Sequence, residues 1–379
     1  MLGETSNIQH RTPNIESNGE TPICLDDSSL PQSDWLPKGN KELQANGSPA
    51  FLCLERNGKC DEATRMSDRQ SPATAIQGLI NNIAHAFIGK DETIAQAVLA
   101  LIAGGHVLLE DVPGVGKTLL AKAIARSISA DFKRIQFTAD LLPSDISGVT
   151  VYSQETHGFS FRPGPIFTNI LLGDEINRAT PRTQSSLLEA MEEHSVTVDG
   201  EVHRLAAPFF VMATQNPVEL EGTYPLPFAQ MDRFMVRLSI GYMSRESETK
   251  MLREQKEHDP LENVQAVMDC ETLLRLQHQC RAIRVEESLL GYIVDIVHST
   301  RKDESLEHGA SPRGSLDIQS FAQAIALKGG RDYVLPDDIK QAARLVLPHR
   351  LITKKGTRNV SVNARSVMDH LIDSVTVPL

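Results

Sequence analysis

Long hydrophobic runs are missing from this 379-residue chain. Its most apolar segment, residues 94–109, is interrupted by Gln96, Gly104, Gly105 and His106, well short of the roughly 18 uninterrupted apolar residues that a spanning helix requires. The sequence therefore excludes a membrane-spanning helix and direct membrane insertion. The start, Met1-Leu2-Gly3-Glu4, lacks a basic region followed by an apolar run, which speaks against a secretory leader and for a cytoplasmic location. Cysteine is scarce. Cys24, Cys53, Cys60, Cys270 and Cys280 are an odd number with no CxxC pair, a pattern of reduced thiols rather than a disulfide framework or a zinc site. The histidines show no helical metal-ligand spacing such as His-x-x-x-His. Basic charge is in deficit: a net charge of -11 works against phosphate-backbone binding, which needs clustered Lys and Arg. Nucleic acid is not an expected partner.

What is present divides into three parts. Residues 1–70 are dominated by Asn, Ser, Pro, Gly and acids, with scattered apolar residues and the single tryptophan, Trp35. Such a segment buries too little apolar area to offset its ordering entropy and is expected to be a disordered extension. Met66-Ser67-Asp68-Arg69 opens the first ordered stretch, so Met66 is an alternative start. From Ala73, apolar residues at helical spacing (Ile76, Leu79, Ile80, Ile83) give an amphipathic helix, and a second helix over about 91–103 leads into a short strand at 107–110. Short apolar strands at 132–137, 170–174, 209–214 and 234–238 then alternate with helices. That pattern predicts an α/β domain over 71–240, a parallel sheet covered by helices. Two segments read as hairpins: 149–152 with 159–161, and 196–198 with 201–203 across Asp199-Gly200, a strong two-residue turn signal. Beyond Gly241 only helical segments are legible, so residues 241–379 are expected to form a smaller all-helical domain. Cys270 and Cys280 fall on helices there and read as apolar positions.

Chemistry concentrates in Asp111-Val112-Pro113-Gly114-Val115-Gly116-Lys117-Thr118, which follows a strand and precedes the helical run beginning at Leu119. Glycines at 114 and 116 let backbone N–H groups approach phosphate oxygens, Lys117 reaches the outer phosphates, and the Thr118 hydroxyl can ligate magnesium. The expected nucleotide-binding set is Pro113, Gly114, Val115, Gly116, Lys117, Thr118 and Leu119. Asp111 stands where the GxxxxGK[ST] motif has its first glycine, and aspartate is expected to keep the turn by tolerating positive φ. The strand ending in Gly173-Asp174-Glu175 places two carboxylates at the carboxyl edge of the sheet, where ligands of open parallel sheets bind. Asp174 is then a magnesium ligand and Glu175 the group that polarises the attacking water. Gln215-Asn216 ends a further strand, where a polar side chain reaches the γ-phosphate or its water. Thr180-Pro181 starts a helix whose Glu189, Glu192 and Glu193 read as its solvated face.

Taken together, Asp111–Thr118, Leu171–Arg178, Phe161-Arg162-Pro163-Gly164-Pro165-Ile166-Phe167, Thr183–Glu193 and Ala213–Arg233 resemble the MoxR group of AAA+ ATPases, the helix-2-insert branch. The likeness spans about residues 70–370 and includes Ser311-Pro312-Arg313. The resemblance implies an AAA+ parallel-sheet P-loop domain followed by a helical lid, with ATP and Mg2+ lying between subunits of a ring, usually a hexamer. It makes Lys117 and Thr118 Walker A, Asp174 and Glu175 Walker B, Asn216 sensor 1, Arg233 the arginine finger that completes a neighbour's site, and Arg313 sensor 2, which joins lid position to the γ-phosphate, so Asp174 and Arg313 join the expected nucleotide-binding residues. It also implies hairpins that face the ring's centre or its substrate, and partner proteins with von Willebrand factor A domains that are matured, remodelled or loaded with metal. One departure is Phe228, where the family usually has glutamate after Pro227; it bears on the subunit interface more than on hydrolysis.

Other classes fit less well. A nucleic-acid motor needs basic or aromatic hairpin tips, and the turns here carry Gln154, Glu155, Thr156, His157, Asp199 and Gly200. A scaffold that binds ATP without hydrolysing it is disfavoured by Glu175, Asn216 and Arg233. The ATPase subunit of a metal chelatase shares the module and stays open as an alternative.

Overall fold

The computed structural model describes residues 71–155, 157–217, 222–254, 259–354 and 360–378. The expectations for residues 1–70, including disorder, the Met66 start, Trp35 and three of the cysteines, lie outside the described residues.

Helix α1 (Pro72–Ala86) begins where Ser71 accepts a hydrogen bond from the Thr74 N–H at 3.3 Å, with proline at the first position. It buries the predicted Ile76, Leu79, Ile80 and Ile83. Helix α2 (Asp91–Ala103) stops at Gly104, whose φ of 79° supplies the left-handed cap. Next come β1 (Val107–Glu110), α3 (Lys117–Ser127), β2 (Phe132–Gln136), the short α4 (Pro143–Ser147), β3 (Gly148–Ser153), β4 (Gly158–Pro163) and β5 (Ile170–Asp174). The domain continues with α5 (Pro181–Glu193), β6 (Ser195–Val198), β7 (Glu201–Arg204), β8 (Phe210–Gln215), α6 (Phe228–Met231) and β9 (Val236–Leu238).

Five of these strands form one parallel sheet in the order β2-β5-β8-β1-β9. The register aligns Glu110 with Gln215 and Gln136 with Asp174, so the carboxyl edge presents a row of polar side chains. At the opposite edge, His106 precedes β1 and its carbonyl accepts from the Met235 N–H at 2.9 Å. Both predicted hairpins form, β3 with β4 and β6 with β7. The second turns through Asp199 and Gly200 at φ 50° and 85°, the left-handed pair a two-residue turn demands. Phe161 and His203 stack at 3.9 Å between ring centroids, joining the two hairpins.

After Gly241 the chain builds α7 (Arg245–Glu254), α8 (Cys270–Ala282), α9 (Glu287–Lys302), the short β10 (Leu306–His308), α10 (Pro312–Lys328), α11 (Pro336–Val346), β11 (Ile352–Thr353) and α12 (Val360–Ser374). Among the described residues the lid is helical apart from the β10–β11 ribbon, an antiparallel pair too short for an alternating pattern to reveal, and a single β-bridge between Arg284 and Tyr333. One apolar core runs from α1–α3 and one face of the sheet into the lid through Ile318, Phe321, Ile339 and Ile372. A second fills the other face beneath α5, with Phe137, Leu187, Leu188 and Phe234. Cys280 is buried, which pushes its thiol up to about 12, and Cys270 is half-buried; both are free.

Candidate functional site

Gly114 and Gly116 both lie in the left-handed region, at φ 86° and 96°. A Cβ on Gly116 would stand 2.7 Å from Cε2 of Phe87, so both backbone conformation and space require glycine there. Helix α3 starts directly behind it without a side-chain cap. Helix geometry leaves the first-turn N–H groups without intrahelical partners, and with the helix dipole they favour an anion. Lys117 Nζ donates to the Asp111 carbonyl at 2.7 Å, across the loop. Burial pushes the Lys117 ammonium below its ordinary value, against the opposing pull of Asp111, Asp174 and Glu175.

Asp111 departs from the sequence expectation. It is not among the residues at positive φ. Its buried carboxylate instead accepts from Ser239 Oγ and Gly241 N–H, each at 3.1 Å, and from the Ile240 N–H. The residue tolerated in place of glycine therefore ties the start of the phosphate loop to the chain leaving β9.

Across the cleft, β5 ends in Asp174 and Glu175. Thr214, fully buried on β8, organises both: its Oγ1 donates to Asp174 Oδ1 at 2.6 Å and accepts from the Glu175 N–H at 2.8 Å. Glu175 takes the left-handed conformation (φ 57°), uncommon for a non-glycine residue. Its Oε2 accepts from Gln136 Nε2 at 2.8 Å and pairs with Arg178 Nε at 3.0 Å. Asp174 Oδ2 meets Arg134 Nη2 at 2.6 Å. Asn216 is buried at the end of β8. Pro113, Gly114, Gly116, Lys117, Thr118, Leu119, Asp174, Glu175 and Asn216 thus line one cleft of about 490 Å³. Val115 lines an adjoining cavity of about 560 Å³ with Phe87, Ile88, Leu119, Met243 and Met251. Gly114, Gly116 and Leu119 border both.

Arg233 and Arg313 are elsewhere. Glu192, in the last turn of α5, holds Arg233 Nε at 3.1 Å and Arg313 Nη2 at 2.8 Å. The sequence places Glu192 on a solvated face; in the structure it bridges two arginines. That group sits at the amino edge of the sheet. Arg233 comes just before β9, the neighbouring Met191 carbonyl contacts His106 Nε2 at 3.2 Å, and His106 precedes β1. Four residues of β1 at about 3.3 Å each separate the two edges by roughly 13 Å. The phosphate loop and the two arginines therefore occupy opposite ends of the strands. Phe228 packs at 6.2 Å between ring centroids from His308 of the β10–β11 ribbon.

With this geometry in hand, likeness to known proteins is decisive. Residues 106–236 match the ATPase family associated with various cellular activities (AAA), and residues 298–370 match the AAA lid domain. The Bacillus subtilis protein YeaC is 50% identical over 300 residues, 79% of this chain and 94% of the relative. Chaperone MoxR1 of Mycobacterium tuberculosis is 39% identical over 312 residues, 80% of this chain and 82% of that one. The chain belongs to the MoxR family of AAA+ ATPases. The crystal structure of a Cytophaga hutchinsonii protein described as an ATPase superposes with a TM-score of 0.76 at 36% identity, covering 84% of this chain and 98% of that one. In this MoxR-family chain, Thr214, Arg134, Gln136 and Glu192 escape sequence reasoning because their partners Asp174, Glu175, Arg233 and Arg313 are distant in sequence. Polar residues at the ends of strands flanking a Walker pair were the available signal.

Proposed function

We propose that the protein hydrolyses ATP in sites completed between neighbouring copies in a ring, usually a hexamer in this family, and uses the cycle to remodel or mature partner proteins. The single observation that carries the reading is the separation of Arg233 and Arg313 from the chain's own phosphate loop, at the other edge of the sheet. Their side chains are 27% and 34% exposed, enough to face another subunit.

The residues fit Mg2+ and ATP. Glycine backbone and an uncapped helix N-terminus suit phosphate oxygens, and the apolar cavity beside Phe87 and Met251 suits a base ring. Thr118 and Asp174 offer oxygen donors on facing walls of one cleft, the ligand type magnesium prefers. When bound, magnesium supplies charge neutralisation at the phosphate oxygens. Lys117 adds a positive charge at the outer phosphates. Thr214 aligns Asp174 and Glu175, Glu175 orients and activates the water, and Asn216 stands at the same end of the cleft. A neighbour's Arg233 completes the charge stabilisation. Partners carrying von Willebrand factor A domains are the client class that the family favours.

An arginine supplied by a neighbour accelerates hydrolysis about 10³–10⁵-fold in well-studied NTPases. Arg233→Ala is therefore expected to lose nearly all turnover while retaining nucleotide affinity, measured by titration with a fluorescent ATP analogue. Full turnover in that variant contradicts the assignment.

A further inference from the structure

We infer that Arg350, a lid residue outside every nucleotide motif, is the positioning residue that presents Arg233 and Arg313 to the neighbouring subunit, an inference that rests on the shared-site reading above. The Arg350 side chain is 1% exposed, and two carboxylates surround it. Its Nε donates to Asp232 Oδ1 at 2.7 Å, and Nη2 donates to the Asp232 and Phe234 carbonyls, each at 2.9 Å, and to Asp317 Oδ2. Nη1 donates to the Val346 carbonyl at 2.9 Å and the Met235 carbonyl at 3.3 Å. Four of these six acceptors belong to residues 232–235, so the guanidinium grips the backbone on both sides of Arg233. His349 adds a contact from Nε2 to the Phe234 carbonyl at 2.8 Å.

The same network reaches Arg313. Asp232 Oδ2 accepts from Ser311 Oγ at 2.7 Å, and Ser311 is the residue from which α10 starts. Arg313 is in the first turn of that helix and Asp317 one turn further on. Arg350 therefore fixes the start of β9 and the start of α10 relative to each other, while Glu192 aligns the two arginine side chains on the outside. Burying a guanidinium is costly unless its charge and donors are satisfied. Here the planar fork meets acceptors on two elements at once, which a lysine, with a compact ammonium, cannot reproduce.

The test uses the full chain. Arg350→Lys keeps a buried positive charge but loses the fork. It is expected to bind ATP within about twofold of the parent and to turn over about 10²-fold more slowly, the scale of a misplacement of about 1 Å. The deciding step mixes it with Glu175→Gln subunits, whose own hydrolysis is blocked but whose arginines are correctly held. If Arg350 acts through the arginines it presents, the Arg350→Lys subunits regain activity beside Glu175→Gln neighbours, and the mixture exceeds the sum of its parts. A parallel mixture of Arg233→Ala with Glu175→Gln is the control. Recovery in the control but not in the Arg350→Lys mixture overturns the role of Arg350, since the damage then lies in its own subunit. No recovery in either overturns the shared site itself, and the inference with it. Should Arg350→Lys fail to fold, Asp317→Asn, nearly isosteric and one shell removed from Asp232, enters the same mixture with the same expected recovery.

Discussion

At the scale of single residues, one hydroxyl holds the two carboxylates of the proposed catalytic end of the cleft in order. Thr214 donates to Asp174 and accepts from the Glu175 backbone, so its loss disturbs the proposed metal ligand and the proposed base together. Thr214→Val keeps the shape and removes the hydroxyl. Outer partners of ligating carboxylates are worth about 10–100-fold, and steady-state ATPase assays are expected to show a loss of that size, with a raised magnesium requirement. Turnover within twofold of the parent would make Thr214 a packing residue. Legibility at this scale is uneven. Lys117, Thr118, Asp174, Glu175 and Asn216 are readable because each ends a strand or opens a helix at a motif spacing, and the fold brings them to one cleft. Glu192 is not, because its helix periodicity reports an outward position, while its partner Arg313 is 121 residues away. Asp111 shows a third case: the position is legible, but its role comes from a carboxylate contact with residues 239–241 that no local rule supplies.

At the scale of elements, the alternation of short strands with helices and both hairpins follow from apolar period and turn signals, whereas the spatial order of the strands rests on pairing between segments distant in sequence. The β10–β11 ribbon is not legible in that way, since its two or three residues per strand carry no period. The amino edge of the sheet depends on a buried histidine. The Val211 N–H donates to His106 Nδ1 at 3.1 Å, which leaves Nε2 as the protonated nitrogen facing the Met191 carbonyl. Desolvation by burial lowers His106 from 6.5 to about 4, with the charges of His194 and Arg313 adding to it and the Met191 contact opposing it. His349, at the same edge, is also held well below its ordinary value, first by burial and then by Arg350. The folded state thus resists protons that the unfolded chain accepts. The stability that His106 contributes by staying neutral is fully present above about pH 6.5 and is lost as pH falls towards about 4, about 3 kcal/mol over that window. Urea unfolding midpoints are expected to fall between pH 7 and pH 5, and His106→Gln, which can keep one donor and one acceptor, to flatten that slope. An unchanged slope in the variant would assign the pH dependence to other groups.

At the scale of the whole molecule, the polarity of a parallel sheet suits the proposed assembly. The five parallel strands run from the edge that carries the arginine pair to the edge that carries the phosphate cleft, so one subunit has a nucleotide-binding half on one edge and an arginine-bearing half on the other. A heterologous, head-to-tail contact joins such halves, and it closes into a ring when the rotation permits. The presence of both halves was legible in the sequence as motifs. Their placement at opposite edges was not, because it depends on where α5, β9 and α10 converge on Glu192. The measurement that tests the shared site most directly is ATPase activity per subunit of residues 66–379 across a wide range of protein concentration, with assembly followed by light scattering. The account predicts activity that rises with concentration and levels off as assembly completes. Measurable activity that stays flat down to concentrations where scattering shows only monomer would contradict it.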